Sequence, residues 1–151
     1  MLTAVPRPAL SIGLAGVAPF LLAAIGAWTL PGDLADAMRQ ATRAYAAVIL
    51  SFVGATHWGM ALARAADGRS EEISFQRLGW SVAPAIVGCV AQFMVPLPAL
   101  ILLILAFWIA FLVDVRAVAA GLFPRWYVRL RQLLTALVVL SLGVVVPTSW
   151  G

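Results

Sequence analysis

The chain has 151 residues, 64% of them hydrophobic and 11% charged, with a mean hydropathy of +1.02. A soluble domain carries about 25% charged residues, so the composition excludes a water-facing surface and points to an integral membrane protein of a single domain, residues 1–151. The formal net charge is +4 and all ten basic residues are arginine, but they form no run and no basic helix with interleaved aromatics, which argues against a nucleic-acid partner.

The charge-free runs set the helices, because a bilayer core about 30 Å thick needs roughly 20 helical residues. The first span is predicted at residues 8–30. That run is longer than the roughly 7–15 residues of a signal-peptide core, so it is read as a retained helix. Pro31-Gly32-Asp33 then makes a turn, with Asp33 as N-cap of a helix starting near Leu34 and protruding before it enters the membrane. The second span is predicted at 42–64, with His57 its titratable group, and Gly68 can end it. Residues 70–76 are polar with Ile73 and Phe75 interspersed, which fits an interfacial turn. Asp67, Glu71 and Glu72 set against Arg64, Arg69 and Arg77 read as a solvated loop.

The third and fourth spans are predicted at 77–95 and 98–118. Val95-Pro96-Leu97-Pro98 separates them, because two prolines so close cannot both sit inside a helix. Gly121 reads as a helix stop and Pro124 as the first helical position of the fifth span, 126–147. The lengths and the lack of period-two alternation give helices, hence an all-α bundle of five transmembrane helices. There is no internal repeat. Glycines 13, 16, 26, 54 and 59 suggest close helix seams, with Ala55 to Gly59 matching a loose small-residue spacing. Cys89 lies in an apolar run and is expected to act as a small hydrophobe.

The arginines orient the bundle. Arg7, then Arg64, Arg69 and Arg77, then Arg116, Arg125, Arg129 and Arg131 fall on one side, against Arg39 and Arg43 on the other. Positive charge stays inside, which predicts a bacterial inner-membrane protein with a cytoplasmic N-terminus and a periplasmic C-terminus. Trp28, Tyr45 and Trp150 then mark the outer interface, and Trp80, Trp126 and Tyr127 the inner one.

His57 is the residue to weigh. A titratable group inside a span usually faces protein or water. A depth of roughly 10 Å, counted from Arg64, puts it near Trp80 and Ser81 of the third span and Gln132 and Thr135 of the fifth. Its small-residue neighbours Ala46, Gly54 and Ala61 would admit another helix. A ligand site of His57, Trp58, Trp80, Ser81, Arg131, Gln132 and Thr135 is one reading, with a quinone, a haem or a lipid headgroup as occupant. A neutral histidine bonded between helices for packing is the other. No acidic residue is expected deep enough to orient His57. Asp114, at the end of the fourth span, is expected to pair with Arg129 or Arg131 as a structural ion pair. A single histidine without further ligands makes no metal site, and no catalytic set is present.

Three segments carry a resemblance: Leu50-Ser51-Phe52-Val53-Gly54-Ala55-Thr56-His57-Trp58-Gly59, Arg77-Leu78-Gly79-Trp80-Ser81-Val82-Ala83-Pro84 and Trp126-Tyr127-Val128-Arg129-Leu130-Arg131. Together they resemble domain-of-unknown-function family 3429, which includes bacterial inner-membrane proteins and a mitochondrial transmembrane protein. The resemblance spans nearly the whole chain. It implies a small five-span membrane protein and brings no activity or cofactor with it. The expected role is a non-enzymatic accessory component of a larger membrane complex, respiratory or photosynthetic, with self-association as a further partner option. The alternative is a small-molecule binding or transport module with a cytoplasmic-side pocket around His57.

Overall fold

The computed structural model describes residues 5–68 and 74–149. Arg69, Glu71, Glu72 and Trp150, and most of the expected interfacial turn, lie outside the described residues. Among the described residues the regular structure is entirely helical: α1 (Arg7–Ala15), α2 (Ala18–Thr29), α3 (Gly32–Ala66), α4 (Phe75–Gln92), α5 (Pro96–Ala119), α6 (Arg125–Val145) and a closing 3₁₀ turn, Val146–Ser149. The α1–α2 pair, α3, α5 and α6 are each long and apolar enough to cross a bilayer, and α4 adds a shorter apolar stretch, Leu78–Gln92. The protein is an all-α membrane bundle of five crossings.

The first crossing is not the single helix expected from residues 8–30. Pro19 is the cause. It lacks an N–H, and its ring would strike the carbonyl one turn back, so α1 ends at Ala15 and α2 begins at Ala18. Gly16 and Val17 keep near-helical backbone angles, which makes the break local. The Tyr45 hydroxyl of α3 donates to the carbonyl of Gly16 at 3.0 Å, satisfying an acceptor at the break.

Turn chemistry sets the other boundaries. Gly32 takes φ +45, and α3 starts there with Pro31 as N-cap. Asp33 is therefore in the first helical turn rather than at the cap, where it still favours the positive end of the helix dipole. At 35 residues α3 is about 52 Å long, so its polar first turns project from the membrane. Pro96 and Pro98 both fall in the first turn of α5, where a missing N–H costs nothing. Pro124 is the N-cap of α6, one residue before the helix. Gly121 has φ +73 and ends α5, and Arg64 Nη2 donates to its carbonyl at 2.9 Å, tying the end of α3 to the α5–α6 turn.

In the bundle α3 packs on α2, α4 and α5, while α6 closes the ring against α5, α2 and α1. Lipid tails are as apolar as leucine, so close packing must hold these helices. Gly54 supplies the tightest point: a Cβ there would lie 2.6 Å from the carbonyl oxygen of Ser81. Gly88 approaches Ala47 in the same seam. Gly13 meets Leu134 of α6 and Gly26 meets Met38 of α3. Ala55 and Gly59 are exposed, so their spacing marks no seam within the chain. Phe20, Leu50, Leu100, Leu103, Phe107 and Leu142 form the fully buried core. Cys89 is exposed.

Candidate functional site

Three polar side chains from three helices meet near the arginine-rich end of the bundle. His57 stands nine residues before the end of α3, Asp114 five before the end of α5, and Arg131 six into α6. At 1.5 Å per residue these depths are about 13, 8 and 9 Å. The His57 Nε2–H donates to Asp114 Oδ1 at 2.9 Å, and Arg131 Nε donates to Asp114 Oδ2 at 2.6 Å. The carboxylate is wholly buried, and the histidine and arginine are each only 6% exposed. Asp114 is thus the centre of a His–Asp–Arg cluster that uses both of its oxygens.

This overturns the expectation that no acid lies deep enough to orient His57. Asp114 falls on the inward stripe of α5 with Phe107, Ala110 and Ala117, which carries it inside the bundle, although it reads in sequence as the end of an apolar run. Of the two arginines expected against Asp114, Arg131 makes the pair, while Arg129 is exposed. Ser81 is buried but donates to the carbonyl of Leu78 in its own helix. Gln132 is exposed and Trp58 is 43% exposed, so neither joins the cluster. Trp80 packs against the apolar core. Thr135 is buried one turn beyond Arg131. Of the seven residues proposed as a ligand site, His57, Arg131 and Thr135 share this region.

Sequence reasoning missed three contributors. Phe123, in the α5–α6 turn, sets its ring edge-on to His57 with centroids 5.2 Å apart and stacks on Tyr127 at 4.8 Å. Thr56 spends its proton on the carbonyl of Val53, which leaves its oxygen to accept from the Tyr127 hydroxyl at 3.4 Å. The available signal was adjacency: Thr56 precedes His57, and Tyr127 lies one helical turn before Arg131.

Beside the cluster is a pocket of about 480 Å³ between α1, α3 and α6. Its α6 wall is one helical stripe, Tyr127, Leu130, Arg131, Leu134, Thr135 and Val138. Ile12 and Phe52, on its other walls, are largely exposed, so the pocket opens sideways toward lipid. Two buried polar atoms of its lining residues have no hydrogen-bond partner: Arg131 Nη2 and Thr135 Oγ1. Among the described residues no group of three or more metal-ligating side chains occurs. His57 Nε2 is committed to Asp114, which makes that nitrogen a poor haem ligand.

The model of the family described as "Protein of unknown function (DUF3429)" matches residues 5–147. Transmembrane protein 69 of Xenopus tropicalis is 32% identical over 139 residues, which is 91% of this chain and 53% of the relative. The chain therefore spans about half the length of that curated relative. No solved structure matches. With nearly its whole length matched, this chain belongs to the DUF3429 family of membrane proteins.

Proposed function

We propose that this protein is a non-enzymatic membrane module that binds a small apolar molecule in the pocket beside the Asp114 cluster. One observation carries the reading: Arg131 and Thr135, both on the pocket wall, each keep a buried polar atom unpaired. An unsatisfied buried donor costs about 1–3 kcal/mol, and a ligand that accepts from it recovers part of that cost. Pocket size supports the reading, since small-molecule sites occupy roughly 300–1,000 Å³. The cluster itself serves as scaffold: Asp114 has both oxygens committed and fixes Arg131 against the wall. The test is gentle detergent purification followed by mass spectrometry of the extracted small molecules, for the natural chain and for Ala9→Trp, which fills the pocket. The reading expects a stoichiometric compound that Ala9→Trp loses. An identical extract from both proteins would refute it.

A second reading, the accessory component of a larger complex, is favoured by Trp108. This residue stands halfway along α5 and is 46% exposed, whereas tryptophan in membrane helices concentrates at the interfaces. A mid-span indole facing outward suits a contact with another protein. Crosslinking from position 108 tests it, with a discrete protein adduct expected and lipid adducts alone counting against it. The bacterial inner membrane, with the arginine-rich end cytoplasmic, is the location we assign on the charge asymmetry.

A further inference from the structure

We infer that the pocket ligand is an uncharged, lipid-soluble carbonyl compound, held by its carbonyl oxygen at Arg131 and Thr135. This rests on the binding-module reading and adds the chemistry of the occupant. Charge makes the first argument. The Asp114 carboxylate and the Arg131 guanidinium form a buried ion pair whose charges cancel. Among the described residues, Arg131 is the only charged one lining the pocket. An anionic head would therefore leave a net negative charge in a low-dielectric site, and an isolated buried charge is costly. A neutral acceptor leaves the site balanced.

Donor geometry makes the second argument. Arg131 and Thr135 are four residues apart on α6 and so lie on one face. A guanidinium N–H can only donate, and a hydroxyl can donate as well. Two donors on one face match the two lone pairs of a carbonyl oxygen. Apart from Thr56 and Tyr127, whose hydroxyls bond each other at 3.4 Å, the rest of the lining, including Ala9, Ile12, Ile49 and Phe52, is apolar, which suits a hydrocarbon tail. The exposed edges at Ile12 and Phe52 give entry from the bilayer rather than from water. An alkylated quinone and a long-chain ester share this chemistry.

Calorimetric titration of the whole chain in dodecyl maltoside, a detergent without carbonyl groups, tests the assignment. The probes are decylbenzoquinone, methyl palmitate, palmitate and hexadecane. At least one neutral carbonyl probe should saturate at one per chain, and which one does so identifies the source. Palmitate should bind at least tenfold more weakly, the order expected for an uncompensated buried charge. Thr135→Val should weaken the neutral probe roughly fivefold, the worth of one hydrogen bond. It should leave the melting temperature of the ligand-free protein unchanged or raised, because the lost hydroxyl had no partner. Palmitate binding more tightly than both neutral probes, or Thr135→Val binding as well as the natural chain, would overturn the carbonyl assignment. In either case, loss of binding in Ala9→Trp would leave the module reading standing. If no probe saturates and the purified protein carries no compound, both readings fall together.

Discussion

Asp114 concentrates the energetics of the site in one side chain. A buried ion pair is weak evidence for net stability, but removing one partner leaves the other uncompensated at about 3–5 kcal/mol. Asp114→Ala strands Arg131 beneath the membrane surface and takes the acceptor from His57. It should lower the melting temperature in detergent far more than Asp67→Ala, whose carboxylate is exposed; equal losses would reduce Asp114 to a surface charge. His57→Gln separates scaffold from pocket. The amide keeps one donor toward Asp114, and interhelical hydrogen bonds in membranes average only about 0.6 kcal/mol, so the fold should survive with little change in melting temperature. A large loss would give His57 a structural weight that its single bond does not explain. The inward position of His57 and the Asp114–Arg131 pair were legible in sequence, because charged and titratable residues near or within apolar runs need partners. That all three form one cluster was not. Depth counted along separate helices gives level but not face: Asp114 shares the buried stripe of α5 with Phe107, Ala110 and Ala117, Gln132 turns outward, and Ser81 is buried but bonds within its own helix.

The helices themselves were legible wherever composition alone decides, since uncharged length and Gly–Pro punctuation place α3, α5 and α6 to within a few residues. The break between α1 and α2 was hidden because Pro19 sits in an unbroken apolar run, and a hydropathy argument does not see a missing N–H. Its consequence is that α1, which buries no residue, forms one wall of the pocket as a separate short helix. The α3–α4 seam depends instead on Gly54. A methyl group there meets backbone at 2.6 Å and the Pro84 ring at 3.0 Å, so the helices must separate. Overpacking of this kind typically costs about 1–3 kcal/mol. Gly54→Ala should destabilise the bundle by that order in thermal unfolding, while Gly59→Ala, with open space around it, should be neutral or slightly stabilising through helix propensity. Equal effects would show that the seam yields.

At the scale of the whole molecule, the proposed orientation rests on the arginines, and the structure changes how they are weighed. Arg131 is turned inward onto Asp114, so it is a poor reporter of which side its loop occupies. That leaves seven arginines on the N-terminal side against Arg39 and Arg43. One of those two is also engaged internally, since Arg43 Nη1 donates to the carbonyl of Met94 at 3.3 Å and helps close the α4–α5 turn. Arg39 pairs with Asp36 at the start of α3. Among the described residues, the side opposite the arginine-rich end therefore presents little free positive charge, and the asymmetry behind the proposed orientation remains after folding is taken into account. A reporter active only outside the cytoplasm should work when fused after Gly151 in a bacterial host and fail when fused in the α5–α6 turn near Gly121. Moving charge is the stronger test. Replacing Arg64, Arg116 and Arg125 by glutamine while placing arginines beside the α4–α5 turn should reduce or invert the reporter contrast, without touching His57, Asp114 or Arg131. Unchanged reporter activity in that variant would mean that something other than arginine distribution orients this bundle.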